Sequence, residues 1–216
     1  MRGDELMKIL VNAGPTREKI DPVRFISNHS SGKMGYAIAA AAVKMGHEVT
    51  LVSGPVTLPP PEGLKKFISI VSAAEMAEMM KKEFVYADLA ILCAAVADYR
   101  PAHPENQKMK KKEGNLFLEL ERTEDIALSL GKMKKNGQLL AGFAAETNDL
   151  EANALTKMQK KNFDFIAANV VGVPGRGFGA EENAITLYKA DGTKKELSLK
   201  SKKELAEELL EELLKK

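Results

Sequence analysis

Short apolar runs of strand length alternate along this chain with stretches of helical spacing, and that alternation constrains the fold more than any other feature. Met7-Lys8-Ile9-Leu10-Val11-Asn12-Ala13 is stopped by Gly14-Pro15, as a strand buried on both faces would be. Ser31 to Met45 carries Ala and Met at helical intervals, with Gly46 where a glycine closes a helix. Glu48-Val49-Thr50-Leu51-Val52 is the next strand, so the unit is β-α-β and its connection is right-handed. Ile68 to Val71, Asp88 to Cys93, Leu139 to Phe143 and Phe163 to Ala168 predict further strands. Between them, Ser72 with Glu75 makes a capping box for a helix to about Tyr86, Thr123 can cap one through about Lys135, and Leu150 to Lys161 reads as another. The pattern predicts an α/β fold, Rossmann-like, with a mostly parallel sheet flanked by helices. Near the end, Ala184 to Tyr188 and Lys194 to Leu199 flank Ala190-Asp191-Gly192, the signature of a C-terminal antiparallel hairpin. A last helix opens with a box of Ser201 and Glu204 and carries no functional signal of its own. Thr57 to Gly63, with its proline run, reads as a stiff connection because the pattern resumes beyond it, so residues 1–216 are expected to form one domain.

Composition narrows the function classes. With 32 Lys+Arg against 30 Asp+Glu the net charge is +2, which argues against a general nucleic-acid binder. No run approaches the roughly 20 apolar residues of a membrane helix. Met1-Arg2-Gly3-Asp4-Glu5 lacks an apolar signal core, so a cytoplasmic location with no membrane contact is expected. A single cysteine, Cys93, excludes an internal disulfide and a cysteine metal cluster, and His29, His47 and His103 are far apart in sequence.

In an open parallel sheet, ligands bind beyond the carboxyl ends of the strands, so the chemistry is sought there. The stretch after the first strand, Gly14 to Gly35, is too long for a dinucleotide fingerprint, and G-x-G-x-x-G is absent. Within it, Ser30-Ser31-Gly32 at a helix start suits an anion such as phosphate, and equally suits a serine cap with a packing glycine. Arg17 and Arg24 in the same stretch favour phosphate, while Lys33 reads equally as a solvated lysine. Ala94-Ala95-Val96-Ala97-Asp98 would let a flat base lie on the backbone, with Asp98 accepting from ribose hydroxyls, helping to hold a hydrated metal, or simply capping a turn. Lys108, Lys110, Lys111 and Lys112 form either a solvated loop or a closure over polyphosphate. Phe143 is an aromatic wall or a core residue, and Lys157 and Lys161 share one helix face.

Taken together, Asp21 to Gly35, Ala94 to Arg100, Lys108 to Lys111, Gly142-Phe143-Ala144-Ala145-Glu146-Thr147 and the Lys157/Lys161 pair resemble the phosphopantothenoylcysteine synthetase family. The resemblance extends from about Lys8 to the end, with the motifs in the family's order. It implies a ligase that joins 4′-phosphopantothenate and L-cysteine through an acyl-cytidylate, using CTP with Mg²⁺ and releasing CMP and pyrophosphate. It implies no flavin in this chain. The nucleotide activates the carboxylate, so no protein nucleophile is required, and catalysis rests on positioning and charge neutralisation. On that resemblance Asn28, Arg24 and Lys108 match catalytic positions: Asn28 on the reacting acyl group, Arg24 at the cysteine step, Lys108 on a closing loop. Ser30, Ser31, Gly32, Gly35, Ala94, Asp98, Glu124, Asp125, Ile126, Phe143, Lys157 and Lys161 match nucleotide-binding positions. Thr123-Glu124-Asp125-Ile126 departs from the family's common Asn-Pro-Asp-Ile, and Gly14-Pro15-Thr16 from Gly-Gly-Thr. The family is homodimeric with sites completed across the interface, and the hairpin near Asp191 is a candidate interface element. Two rival classes are a nicotinamide oxidoreductase, which lacks its fingerprint here, and a non-catalytic nucleotide-sensing domain.

Overall fold

The structure is a computed structural model and describes residues 6–111, 113–146, 150–170 and 180–215, leaving aside the side chains of 145, 146 and 170. Of the sequence motifs, Thr147, the Glu146 side chain and Lys112 therefore lie outside the described residues. The elements run β1 (Lys8–Ala13), β2 (Arg17–Asp21), β3 (Arg24–Ser27), α1 (Lys33–Lys44), β4 (Glu48–Ser53), β5 (Lys66–Ser69) and α2 (Ala73–Phe84). They continue as β6 (Leu89–Leu92), β7 (Tyr99–Pro101), β8 (Leu120–Arg122), α3 (Ile126–Met133) and β9 (Leu139–Glu146). The last are α4 (Leu150–Lys160), β10 (Phe165–Val170), β11 (Glu182–Lys189), β12 (Lys194–Ser201) and α5 (Lys202–Leu214).

An eight-stranded sheet has the order β12-β11-β10-β9-β6-β1-β4-β5. Its pairs are parallel from β5 across to β10, and β11 and β12 add the antiparallel C-terminal hairpin that the Asp191-Gly192 turn predicts. Strand side chains alternate between two cores. Ile9, Val11 and Ala13 of β1 face α1 and α5, whereas Leu10 faces the side that holds Met76, Met80 and Phe84 of α2. The chain runs from β1 outward to β4 and β5, then returns to lay β6 on the other side of β1. This reversal opens a crevice beyond the carboxyl ends of β1 and β6. Among the described residues no helix is long and apolar enough to cross a membrane.

The small additions depart from the sequence reading. β2 and β3 form an antiparallel hairpin inside the stretch expected to be loop, and β7 pairs with β8 in a second one. The inward positions of β2 are charged: Glu18 is buried and accepts from the Ala73 N–H at the start of α2 (2.9 Å), and buried Asp21 accepts from Val23 and Arg24 N–H groups. No apolar alternation therefore marks the strand. α3 is capped by Asp125, whose Oδ1 accepts from Leu128 N–H at 3.0 Å; Thr123 instead donates its hydroxyl to Ala97 O at 2.6 Å. Ser72 caps α2 as predicted, while the Glu75 carboxylate accepts from Val71 N–H, one residue earlier than a reciprocal box requires. The Ser201/Glu204 box is complete.

Candidate functional site

The turn after β6 is stitched to the rest of the fold from three directions. Buried Asn12, near the end of β1, accepts from the N–H groups of Cys93 (2.7 Å) and Ala94 (2.9 Å) through Oδ1. Thr16 Oγ1 accepts from Ala97 N–H at 3.0 Å, and the Thr16 N–H donates to Ala95 O at 3.3 Å. From the far side the Thr123 N–H donates to Asp98 O at 3.0 Å, beside its hydroxyl bond to Ala97 O. The backbone from 93 to 98 is thus fixed before any ligand arrives, which is what a surface that must orient a ligand requires.

Two cavities meet on this turn. The larger, of about 420 Å³, is lined by Asn28, Ser30, Ser31, Gly32 and Gly35 together with Cys93, Phe143, Asn169, Asn183 and Lys202. The smaller, of about 230 Å³, is lined by Asn12, Glu124, Asp125, Ile126, Lys157 and Lys161. Ala94, Val96, Asp98 and Phe143 belong to both and form the shared wall.

At the larger cavity α1 begins with Gly32 at φ 77, and no side chain caps it. A Cβ on Gly32 would also lie 2.8 Å from Val56 Cγ1, so glycine serves both conformation and space. The serine-cap reading therefore fails: Gly32 is itself the cap residue, Ser30 Oγ meets the Gly32 N–H at 3.4 Å, and the helix start opens on the cavity. Asn28 Oδ1 accepts from Ser30 N–H at 3.0 Å, which orients the amide, and its Nδ2 has donor chemistry alone. Cys93, expected in a core strand, lies just past β6 on the cavity wall; burial pushes its thiol up to about 12, with the charge of Lys202 only partly opposing this. A neutral thiol is a poor nucleophile.

In the smaller cavity the Asp125 carboxylate also meets the Lys161 ammonium at 3.0 Å. Burial raises its pKa, but the Leu128 N–H and Lys161 outweigh this and hold it below the usual carboxylate range. Glu124 is held low by Lys81 and by the Ser129 hydroxyl, at 2.8 and 2.6 Å, so its carboxylate is engaged in joining α2 to α3. The turn after α4 lies hard against α3: a Cβ on Gly131 would be 2.0 Å from Lys161 O, and Asn162 Nδ2 donates to Gly131 O at 2.9 Å. That contact fixes where Lys161 emerges.

The structure thus brings Asn28, Ser30, Ser31, Gly32, Gly35, Ala94, Asp98 and Phe143 to the larger cavity. Glu124, Asp125, Ile126, Lys157 and Lys161 join Ala94, Asp98 and Phe143 at the smaller one. Arg24 and Lys108 line neither. Arg24 sits on the β2–β3 arm, where Nε donates to Asp21 at 2.9 Å and Nη2 to Met109 O at 3.0 Å, and Lys108 is exposed beside Met109. Arg17 stacks over the Phe25 ring at 4.6 Å on the same arm. Sequence reasoning missed Asn12, Asn169, Asn183 and Lys202. The available signal was an asparagine closing an otherwise apolar strand run, which Asn12 and Asn169 share. Among the described residues no group of three or more His, Cys, Asp or Glu side chains is placed to hold a metal ion.

A mostly parallel sheet with a paired cavity at its switch point, an open helix start at one cavity and Lys157 and Lys161 at the other, defines an α/β protein whose candidate site has the chemistry to accept a phosphorylated ligand. The chain belongs to the DNA/pantothenate metabolism flavoprotein C-terminal domain family, which it matches over residues 5–216. It is 50% identical over 205 residues to the coenzyme A biosynthesis bifunctional protein CoaBC of Bacillus subtilis, covering 95% of this chain and 50% of that protein. It is 49% identical over 207 residues to the protein of the same name in Vibrio vulnificus, covering 95% and 51%. The chain spans about half the length of these curated relatives. A crystal structure of the C-terminal domain of a CoaBC protein superposes with a TM-score of 0.82 at 46% identity, covering 96% of this chain and 94% of that one.

Proposed function

We propose that this chain is a phosphopantothenate–cysteine ligase of coenzyme A biosynthesis, acting on 4′-phosphopantothenate, L-cysteine and CTP. The observation that carries the reading is the pair of cavities with a shared wall. An acyl-cytidylate needs a boundary of that kind, with its nucleoside on one side, its acyl chain on the other and the mixed anhydride between. The family membership and the close CoaBC relatives support it independently.

In the first step a carboxylate oxygen of phosphopantothenate attacks the α-phosphorus of CTP and pyrophosphate leaves. In the second the cysteine amine attacks the acyl carbon, CMP leaves, and the amine loses a proton. Asn28 Nδ2 donates to the reacting carboxylate and then to the acyl oxygen, where charge develops. The start of α1 faces phosphate, and Asp125, Ile126, Lys157 and Lys161 hold the nucleotide against Phe143. Lys108 acts by movement of its loop toward the cavities. Mg²⁺ would screen the triphosphate charge; it needs one or two carboxylates besides phosphate oxygens, and exposed Asp98 on the shared wall fits as one of them. Arg24 acts from a second copy of the chain, its arm reaching the partner's cavity in a homodimer. The exposure of Val23 (58%), Phe25 (49%) and Phe117 (86%) supports an interface at the arm and the β7–β8 hairpin over one at Asp191.

The test is product analysis with each nucleoside triphosphate in turn. CMP, pyrophosphate and phosphopantothenoylcysteine should appear only when acid, cysteine and CTP are all present, and Asn28→Asp should lose about 10²–10³ in turnover while retaining nucleotide. Nucleotide binding without pyrophosphate release would overturn the ligase reading in favour of a nucleotide sensor. Equal specificity constants for ATP and CTP would remove the CTP preference alone.

A further inference from the structure

Asn183 stands on β11 with 5% of its surface exposed, and its Oδ1 is a buried side-chain atom that has no hydrogen-bond partner among the described residues. Native interiors rarely leave such an atom unsatisfied unless something else supplies the donor. Its position is also irregular: the β11–β12 register shifts between Asn183 and Ile185, and a bulge of that kind turns a side chain out of the ladder's alternation. Asn183 lines the larger cavity. So does Lys202, the first residue of α5, which is 8% exposed and whose N–H donates to Glu181 O at 3.0 Å. Nearby Lys33 is ion-paired with Glu181.

From this arrangement we infer that Asn183 and Lys202 hold the pantothenate arm of the acid, Asn183 Oδ1 accepting from the arm's hydroxyl or amide N–H and Lys202 meeting its terminal phosphate. The inference rests on the ligase reading and deepens it. Neither residue lines the smaller cavity, so both lie off the nucleotide side of the shared wall, where the carboxylate must react. An acceptor oxygen cannot bind a phosphate or carboxylate oxygen; it needs an N–H or O–H, and the arm carries these groups between its carboxylate and its phosphate. A buried ammonium is the matching partner for the phosphate at the arm's end. Burial, and the charge of Lys33, lower the Lys202 pKa, and a phosphate dianion would reverse that cost.

The experiment is initial-rate kinetics on the full chain, wild type against Asn183→Ala and Lys202→Gln, with each substrate varied. Each substitution should raise KM for 4′-phosphopantothenate by about tenfold or more while KM for CTP and for cysteine stays within about twofold. Lys202→Gln should in addition erase the preference for 4′-phosphopantothenate over unphosphorylated pantothenate, a readout that a loss of packing would not move. Unchanged KM for the acid, or a rise confined to CTP or cysteine, overturns the assignment. Wild-type protein that makes no product refutes the ligase reading instead. Should Asn183→Ala fail to fold by circular dichroism, the Lys202→Gln substrate preference decides alone, and retained preference rejects the proposal.

Discussion

Replacing Asn12 by alanine tests whether the binding turn is held by the residue that sequence reasoning passed over. The substitution removes the single oxygen that accepts from both Cys93 and Ala94 N–H, at 2.7 and 2.9 Å, in a side chain only 2% exposed. Each orphaned buried N–H costs about 1–3 kcal/mol; because the turn can relax toward the cavity, the lower half of the summed range applies, about 2–4 kcal/mol. The accompanying Nδ2 contact to Met76 Sδ, at 3.6 Å, is weak and adds little. With a urea m-value of about 2 kcal/mol/M, the midpoint should fall by about 1–2 M. The same relaxation moves Ala94 on the shared wall, so KM for CTP should rise alongside. Urea unfolding followed by circular dichroism, together with CTP-dependent pyrophosphate release, reads both effects. A midpoint shift below about 0.3 M with unchanged KM would mean that Thr16 and Thr123 suffice to hold the turn, and the argument from Asn12 would fall.

Gly131→Ala should cost about 1–3 kcal/mol in thermal unfolding, because the new Cβ would lie 2.0 Å from a backbone oxygen and 2.8 Å from its carbon in Lys161, neither of which can rotate away. The shift should displace the Lys161–Asp125 pair and raise KM for CTP more than KM for phosphopantothenate; stability within about 0.5 kcal/mol of wild type would refute the close-approach argument. The Arg24 guanidinium holds the Asp21 carboxyl well below the usual carboxylate range, opposed by burial and aided by the N–H groups of Val23, Met109 and Arg24. A depressed folded pKa means that this stabilisation is complete above the unfolded value of about 3.9 and is lost as pH falls through the folded value. Asp21→Asn should therefore flatten the acid limb of the stability profile and make the segment around Met109 easier to proteolyse at neutral pH; equal acid slopes in the two proteins would contradict it.

The parallel sheet was legible because strands buried on both faces are written as unbroken apolar runs, as Ile9 to Val11 and Leu89 to Leu92 are. Ser72 and Ser201 were legible as caps because the acidic residue three positions on is a local signal. The β2–β3 arm was not, since its inward positions are Glu18 and Asp21, whose burial depends on partners such as the Ala73 N–H, 55 residues away. Most cavity-lining residues lay in recognisable motifs, but the placement of Arg24 on the β2–β3 arm and of Lys108 in the segment beside it, away from both cavities, did not follow from their spacing. Lys202 was hidden by the helix it begins, whose capping box and apolar stripe account for every neighbour and leave nothing to suggest a cavity.

The stitched turn has a consequence for the order in which this molecule becomes competent. The Asn12 and Thr16 bonds that hold it join residues 81 and 82 positions apart, so none can form until β1 and β6 have found each other across the intervening β2, β3, α1, β4, β5 and α2. Contacts of such long range come late in folding, after the entropy of closing the loop has been met. A chain emerging from synthesis thus has α1, β4, β5 and α2 before this turn is fixed, and Thr123 adds its stitch only after a further 26 residues from Ala97. Under the proposed function, the appearance of nucleotide binding in a refolding experiment would time the docking of β1 against β6.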